Sequence, residues 1–333
     1  MSRGLSAISQ SSVTTWFGLF APADEETVFV GRETAAIAAQ RILTAAKGRR
    51  VRIYSDHDTL VRDLDVAATL RTRGLVPEVQ SRAAVRAGTD KRWFKQQLEA
   101  VGITTPAWGT GAAAATASRA VLRKRRDSTQ SQGIGWDDGM GAADEATYWE
   151  EFVDGEEYSV VAYRAPDRQT TVLPVVWKGR TRPDLLPPWR RLRLTSPPGL
   201  EDDLSPPLAA LTRRIGDLLD ASGFFELEVV ATADGDLHVL ELNPRVSGTL
   251  RIAAMASAVQ VFAPHTYAQA DGVVPVRRYA AEMPYTGAPV LTEHLVATSR
   301  ITVSGSTPDE VRRRLALHVG NAVDALEWPD RWR

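Results

Sequence analysis

Two neighbouring stretches of the sequence, residues 224–231 and 237–245, carry acidic and amide side chains at alternate positions. Alternation of apolar and polar residues is the pattern of a strand with one buried face. The dipeptide Asp234-Gly235 between the stretches is typical of a two-residue hairpin turn. We therefore predict that the stretches are the two arms of one β-hairpin, with pairing that runs outward from residues 233 and 236.

This pairing decides which side chains face each other. It places Glu228 opposite Glu241 and Glu226 opposite Asn243. Like charges directly opposite each other destabilise a strand pair, so we expect a cation between the two carboxylates. Carboxylate and amide oxygens are ligands that Mg²⁺ takes together with phosphate oxygens. Arg245 follows on the same face, and its guanidinium group suits a phosphate. The alternative for the hairpin alone is a solvated sheet face.

The composition is that of an ordinary globular protein. The chain has 333 residues, of which 44% are hydrophobic and 24% charged, and its net charge is -1. This length exceeds one compact core, so we expect two or three packed units. The charge gives no indication of a nucleic-acid or membrane partner. The absence of cysteine excludes disulfides, thiolate nucleophiles and cysteine-ligated metals. We find no signal-peptide pattern or membrane-spanning stretch and expect a cytoplasmic protein.

The first part of the chain alternates strand and helix patterns after residues 2–23, which we predict to be weakly ordered. Residues 27–31 and 50–54 are short apolar runs that predict buried strands, and residues 33–46 and 60–73 predict helices. Alternation of this kind is typical of a parallel α/β unit.

Two lysines stand at the ends of predicted elements. Lys91 follows Asp90, which we expect to cap the helix that begins there. Lys124 ends a predicted strand and precedes a polar loop, residues 125–132, that finishes at Gly133. Such a loop can fold over phosphates with the lysine as a point charge. The alternatives are a solvent-facing lysine and a disordered surface loop.

Strand patterns dominate the chain after these lysines. Residues 156–163 and 171–177 predict strands, and residues 208–221 predict an amphipathic helix. Residues 181–207, which are rich in proline and arginine, predict a long functional loop or lid. Short strands and a last helix are expected after residue 271.

From residue 89 to residue 270 the sequence resembles the ATP-grasp enzymes, and its spacing is most similar to D-alanine–D-alanine ligase and related carboxylate–amine ligases. In that family an Asp-Lys pair begins a helix, and its lysine meets the ATP phosphates. A second lysine ends a strand before a loop, and a glutamate-led segment forms the adenine hinge. An acidic residue on one hairpin arm then faces Glu-x-Asn-x-Arg on the other. All four motifs occur here in the family's order.

The resemblance implies a set of site residues and a fold. The expected ATP contacts are Lys91, Lys124, Ser131, Glu150, Glu151, Val153, Glu157 and Arg245; the expected metal ligands are Glu228, Glu241 and Asn243; and the expected catalytic charges are Lys124 and Arg245. The implied fold is mixed α/β and α+β: an N-terminal α/β domain (1–88), an ATP-grasp domain (89–270) made of a small ATP-binding subdomain (89–153) and a larger catalytic subdomain (154–270), and C-terminal strands and a helix that pack on the latter (271–333).

The implied activity is ATP-dependent joining of a small-molecule carboxylate to an amine through an acyl phosphate, with release of ADP and phosphate. The substrate class is an amino acid or small peptide, the metal is Mg²⁺ with Mn²⁺ as an alternative, and homodimers are common in the family. Two departures stand out. The loop 125–132 contains no glycine, and Glu226 stands where the D-alanine ligases use an arginine, which leaves the oxyanion stabiliser unassigned.

Two alternatives remain open at this point. One is another ATP-grasp reaction, either carboxylation or small-molecule phosphorylation, and the other is an ATP-binding module without turnover. The five histidines are scattered through the sequence, and we interpret them as structural.

Overall fold

The computed structural model describes residues 4–110, 120–128, 133–137, 145–187, 190–195, 204–267, 272–287, 294–297, 299–329 and 332. The chain forms three sheets in sequence order, a parallel one followed by two antiparallel ones. Within these residues, no helix is both long and apolar enough to pass through a lipid bilayer.

The N-terminal unit is a three-stranded parallel sheet with helices beside it. Strand β1 (Gly4–Ile8) lies between β2 (Glu26–Phe29) and β3 (Arg50–Tyr54), as the prediction of a parallel α/β unit requires. The helices are α1 (Ser11–Thr14), α2 (Ala35–Ala46) and α3 (Leu60–Thr72). The prediction of a weakly ordered start is wrong, because β1 is the central strand. Its five residues are too few to show a period, and its two neighbours bury it. The prediction that residues 27–31 form a buried strand is wrong for the strand itself, since β2 (Glu26–Phe29) is an exposed edge strand.

Two consecutive helices lead into a small antiparallel sheet. They are α4 (Arg82–Thr89), which the sequence did not predict, and α5 (Lys91–Ala100). The four strands are β4 (Trp108–Gly109), β5 (Val121–Arg125), β6 (Gly135–Trp136) and β7 (Thr147–Glu151), in the order β4-β7-β5-β6.

The third sheet has nine strands and carries the predicted hairpin at one end. Its strands are β8 (Glu156–Arg164), β9 (Thr170–Val172), β10 (Val176–Arg180), β11 (Arg193–Thr195), β12 (Gly223–Ala231), β13 (Leu237–Asn243), β14 (Tyr279–Pro284), β15 (His294–Ala297) and β16 (Arg300–Gly305). Their order is β13-β12-β8-β10-β11-β14-β16-β15, with β9 paired to β8. The strands after residue 271 therefore extend the sheet that contains the hairpin. The helices are α6 (Ser205–Leu218), α7 (Thr249–Ser257) and α8 (Pro308–Val319).

The large sheet buries its two faces differently. Val160 and its neighbours on one face pack with α6 and α8, whereas Val161 and its neighbours on the other face pack with α7. The N-terminal unit meets this second face through a contact between the rings of Tyr54 and Phe224, whose centroids are 6.1 Å apart. Part of the second face is polar instead of apolar. The polar residues of the hairpin arms lie there, and they define the site described below.

The predicted hairpin forms with the predicted face-to-face pairs, although its turn differs. Glu226 pairs with Asn243 and Glu228 with Glu241, which confirms the expected register at the site. The turn, however, is longer than the predicted two residues, because Ala231 pairs with Leu237 and leaves the five residues 232–236 between the strands. A β-bulge after Glu228 restores the register. The sequence argument reached the right pairs because these two departures offset each other.

Candidate active site

Helices α4 and α5 bring the first predicted lysine to the hairpin. A Cβ added to Gly88 would lie 2.4 Å from Cδ of Pro244, so only glycine lets α4 approach the end of β13 this closely. Asp90 caps α5 by accepting a backbone N–H of its first turn at 3.2 Å, as predicted. The capped helix holds Lys91 with its Nζ 2.7 Å from Oε2 of Glu241.

The hairpin face presents three carboxylates around one amide. The Nδ2 atom of Asn243 lies 3.4 Å from an oxygen of each of Glu226, Glu228 and Glu241. Lys178 lies on strand β10, which β8 separates from the hairpin, and it places its Nζ 2.7 Å from Oε2 of Glu228. The repulsion that the sequence predicted between the two facing glutamates is therefore offset by ammonium groups, one for each carboxylate.

The pKa values of the two facing glutamates, Glu228 and Glu241, are shifted in opposite directions. Burial raises the pKa of Glu228 to about 7, with help from the charges of Glu241 and Glu226 and against the effect of Lys178. Burial acts in the same direction on Glu241, but the ammonium groups of Lys91, Lys178 and Lys124 together outweigh it and lower the pKa of Glu241 to about 2. At neutral pH the pair therefore consists of one fully ionised carboxylate and one that exchanges its proton readily.

Lys124 and Glu150 lie on the small sheet, across a cleft from the hairpin. The carboxylate of Glu150 forms ion pairs with Lys124 and with Lys95, a residue that the sequence did not predict for the site. Lys95 Nζ is 2.6 Å from Oε2 of Glu150, and Lys124 forms an ion pair with the other oxygen of the same carboxylate. Burial lowers the pKa of Lys95, against the pull of Glu150. Glu150 thus positions Lys124 at the cleft. The signal for Lys95 was its spacing of four residues from Lys91, which puts both on one helix face.

The cleft between the two sheets encloses about 880 Å³ and contains most of the predicted site residues. Its apolar wall is suited to a flat heterocycle and its polar wall to phosphates. The predicted residues that line it are Lys91, Lys124, Glu150, Glu151, Val153, Glu157, Glu228 and Glu241. The further lining residues are Leu122, Ile134, Phe152, Thr181, Arg182, Leu185, Leu186, Pro187, Arg191, Val230 and Leu240.

The hinge between the small and large sheets depends on a glycine. A Cβ added to Gly155 would lie 2.3 Å from the carbonyl oxygen of Ala231, so the chain can cross the sheet here only without a side chain. Just beyond it, Glu157 lines the cleft and receives Arg191, whose Nη2 is 2.8 Å from Oε1. Arg191 comes from the segment that was predicted to be a lid. The described part of that segment, residues 181–187 and 190–195, supplies one wall of the cleft and strand β11.

Two predicted residues lie apart from the cleft lining, and one lies outside the described residues. Asn243 and Arg245 stand at the hairpin end, where Arg245 Nη2 is 3.5 Å from Oδ1 of Asn243. Ser131 lies outside the residues that the structure describes, as does part of the predicted phosphate loop.

His57, which we interpreted from the sequence as structural, lies near two cations of the site. Burial lowers the pKa of its imidazole, and the charges of Arg245 and Lys91 lower it further.

The donor set at the hairpin fits a divalent cation that also binds nucleotide phosphates. Glu228 and Glu241 supply carboxylate oxygens, which are hard ligands. Asn243 would add its amide oxygen once the amide turns over, since its Nδ2 atom faces the carboxylates here. One oxygen of Glu226 is buried there without a hydrogen-bond partner. In the described part of the chain, no group of three Asp, Glu, His or Cys side chains forms a ready-made metal centre. Mg²⁺ usually takes one or two carboxylates and completes its shell with phosphates and water.

Comparison of the sequence with known proteins finds no match, whereas comparison of the fold finds many. No protein-family model and no curated protein sequence matches the chain. Among solved structures, N5-carboxyaminoimidazole ribonucleotide synthetase from Thermus thermophilus is 18% identical with a TM-score of 0.69, and the match covers 98% of this chain and 100% of that one. L-amino acid ligase from Bacillus licheniformis is 14% identical with a TM-score of 0.65, covering 97% of each chain.

A third solved structure holds nucleotide and metal. It is the biotin carboxylase domain dimer of 2-oxoglutarate carboxylase from Hydrogenobacter thermophilus, in complex with MgADP, ADP and bicarbonate. It is 11% identical with a TM-score of 0.67, and the match covers 96% of this chain and 90% of that one. These structures are ATP-grasp enzymes, so the chain has the ATP-grasp fold that the sequence predicted. At this level of identity the similarity establishes the fold and leaves the reaction to be argued from the site.

Proposed function

We propose that this chain is an ATP-dependent ligase that joins a small carboxylate to an amine through an acyl phosphate. The observation that carries the proposal is the arrangement of charge around the cleft. Lys91, held against Glu241 at the hairpin, and Lys124, on the small sheet, line it together with Glu228 and Glu241. Fixed ammonium groups beside a carboxylate pair are the arrangement that phosphoryl transfer from a metal-bound nucleotide needs.

The nucleotide would lie with its base between the apolar residues of the cleft and its phosphates toward the lysines. Glu151 and Val153 of the hinge segment line the cleft and would present backbone groups to the base, and Glu157 would accept the ribose hydroxyls. Mg²⁺ held by the hairpin would neutralise phosphate charge as it moves from the transferred group to ADP.

The reaction then needs two displacements. A carboxylate oxygen of the acid attacks the γ-phosphorus of ATP, the bond to the β-phosphate oxygen breaks, and ADP leaves with that electron pair. The amine nitrogen next attacks the acyl carbon, phosphate leaves, and the proton lost by nitrogen passes to the released phosphate or to solvent. Lys91, Lys124 and Arg245 stabilise negative charge in both steps, and the cleft walls limit hydrolysis of the acyl phosphate. The chain needs no covalent nucleophile.

The test is a screen for ADP release with amino acids offered singly and in pairs, followed by mass spectrometry of the products. A ligase releases ADP and phosphate in equal amounts only when acid and amine are both present, and the product mass is that of the two joined with loss of water. Glu241→Gln is the matched control that should remove the signal. ADP release that depends on one substrate alone and yields a phosphorylated product would refute amide formation.

A second candidate is ATP-dependent carboxylation, in which bicarbonate is the acid. The observation that favours it is Glu226, which is 3% exposed and occupies the hairpin position where the D-alanine ligases have an arginine. A bicarbonate arm in the same screen separates the two reactions, because only carboxylation requires bicarbonate for ADP release. A homodimer, as in the biotin carboxylase domain named above, stays a prediction for this chain and can be measured by sedimentation.

A further inference from the structure

Arg191 joins the wall of the nucleotide cleft to Glu157, the residue that we assign to the ribose. Its guanidinium donates through Nη2 to Oε1 of Glu157 at 2.8 Å. The other two nitrogens donate to backbone carbonyls: Nε to that of Leu186 at 2.8 Å, and Nη1 to those of Arg180 at 2.7 Å and Lys178 at 3.4 Å. One side chain therefore holds a carboxylate and three backbone carbonyls together.

The backbone of β10 is shaped to receive this guanidinium. The φ of Gly179 is +91°, in the left-handed region that favours glycine. A Cβ added to Gly179 would lie 3.6 Å from Cδ and Nη1 of Arg191, so the arginine packs directly over the glycine. The carbonyls on both sides of the glycine accept from Nη1. The side chain of Arg191 is 8% exposed and forms a fixed part of the cleft.

Glu157 lies on the same face of the large sheet as the hairpin carboxylates. On β8, Ser159 pairs with Glu228 and Glu157 pairs with Val230 of β12. Residues two apart in a strand share a face and lie about 7 Å apart. Glu157 therefore stands one step along the strand from the row that holds the proposed metal site. A nucleotide in the cleft would meet Glu157 with its ribose and the hairpin with its phosphates.

The ion pair with Arg191 leaves Glu157 able to accept from hydroxyls. An ionised carboxylate only accepts, and its two oxygens offer about four lone-pair sites. Arg191 takes one site on Oε1, and among the residues that the structure describes it is the only donor to this carboxylate. Oε2 is left for donors in the cleft, such as the two neighbouring hydroxyls of a ribose. Because Arg191 already orders the carboxylate, binding does not have to.

We propose that Arg191 is the positioning residue for ribose recognition. It holds Glu157 where both ribose hydroxyls can donate to the carboxylate, and the cleft therefore selects ribonucleotides over nucleotides that lack these hydroxyls. Without Arg191 the carboxylate loses its orientation and the cation that compensates its burial. The inference rests on the proposed function for the identity of the nucleotide, ATP, but nucleotide binding does not require turnover.

The test is calorimetric titration of the intact protein with Mg²⁺ and either ATP or 2′,3′-dideoxy-ATP, without acid or amine. The two nucleotides differ only in the two ribose hydroxyls, so the ratio of their dissociation constants measures ribose recognition. We expect ATP to bind at least about 10-fold more tightly, because a hydrogen bond to a charged acceptor has that effect on affinity. Arg191→Met should weaken ATP binding until the two nucleotides bind equally tightly.

A matched control loosens the same wall of the cleft without changing a contact of Glu157. Trp136, on the small sheet, donates its indole N–H to the carbonyl of Pro183 at 3.0 Å and is absent from the cleft lining. Trp136→Phe removes this hydrogen bond and should leave the ratio at its wild-type value. If Arg191→Met leaves the ratio unchanged, or if Trp136→Phe lowers it as much, Arg191 only holds the wall in place and the proposal is overturned.

Arg191→Lys is measured instead where Arg191→Met does not fold. Its single ammonium keeps a positive charge beside Glu157 but lacks the planar group that reaches the carbonyls and the carboxylate at once, so the ratio should fall. Glu157→Gln should lower the ratio as well, and Arg191→Met added to it should lower the ratio no further, because the two residues act as a unit. An unchanged ratio in Arg191→Lys, or a further fall in the double variant, contradicts the proposal.

The two proposals fail in different ways. If an acid and an amine support ADP release while ATP and 2′,3′-dideoxy-ATP bind equally tightly to the wild type, the ligase proposal stands and the ribose proposal is wrong. If no acid and amine support ADP release while the preference for ATP depends on Arg191, the ribose proposal stands and the ligase proposal is wrong.

Discussion

The pKa values of the two hairpin glutamates are shifted in opposite directions, so we predict that replacing each of them by glutamine has a different effect on stability. The pKa of Glu241 is lowered from 4.5 to about 2, and that of Glu228 is raised from 4.5 to about 7. Each displacement corresponds to about 3 kcal/mol of interaction free energy, favourable for ionised Glu241 and unfavourable for ionised Glu228. Glu241→Gln should therefore lower the free energy of unfolding by about 3 kcal/mol at pH 8, whereas Glu228→Gln should leave it unchanged or raise it.

The pH dependence follows from the same displacements. Because the folded-state pKa of Glu241 is lowered, the stability that its ionised form contributes is present above the unfolded-state pKa of 4.5. That stability is lost as the pH falls toward 2. Because the folded-state pKa of Glu228 is raised, the stability that its protonated form contributes is present below pH 4.5. That stability is lost as the pH rises through 7. Between pH 4.5 and 7, the stability of the wild type should therefore fall with rising pH relative to that of Glu228→Gln, because the variant lacks this contribution.

The assay is urea denaturation followed by tryptophan fluorescence, without metal or nucleotide, at a series of pH values. Both variants should also lose at least about 100-fold in Mg²⁺-dependent ADP release, since even residues that only support metal ligands cost 10- to 100-fold. Equal destabilisation by the two substitutions would refute the assignment of unequal charge states. Wild-type turnover by either variant would falsify the metal site.

Three further predictions concern the residues that build the site. Lys95→Met removes one of two ammonium groups from the buried carboxylate of Glu150 and should lower the free energy of unfolding by about 3–5 kcal/mol in urea denaturation. Gly155→Ala places a methyl group 2.3 Å from the carbonyl oxygen of Ala231 and should cost about 1–3 kcal/mol, seen as a lower thermal midpoint. The apparent affinity for Mg²⁺ in the presence of ATP should fall about 10-fold per pH unit below pH 7 and level off above it, because protonation of Glu228 competes with metal binding.

Matched controls exist for each of these three experiments. Gln96→Met changes an exposed residue on the same helix as Lys95, and stability should hardly change. Gly135→Ala adds a methyl group where nothing lies within 4 Å, so it should be tolerated. Glu228→Gln should weaken Mg²⁺ binding and abolish its dependence on pH. A strong effect of either of the first two controls, or an unchanged pH profile in the third, contradicts the corresponding argument.

The sequence predicted the hairpin pairs because their pattern is local. A period of two, together with a turn signal, determines which residues of two adjacent strands share a face, and the pairs of Glu228 with Glu241 and of Glu226 with Asn243 follow from it. The turn was longer than predicted, with five residues between the paired strands instead of two, and no residue signalled the compensating bulge. Strand β1 was missed for the opposite reason, since its five residues are held by neighbours and not by a pattern of their own.

The partners of the charged residues were beyond the reach of sequence. The ion pairs of Lys178 with Glu228 and of Lys95 with Glu150 join residues about fifty positions apart in the chain, on different elements. Nothing local to Lys178 distinguishes it from a lysine at the exposed end of a strand. Its role follows from the position of β10 next to β8 in the large sheet.

The sequence by itself thus determined the chemistry that is available and its order along each strand, because side-chain type and strand period are properties of adjacent residues. Only the tertiary structure decided which lysine meets which glutamate and which residues line the cleft between the two sheets. Those facts depend on how distant segments pack, and burial there sets the charge of each group.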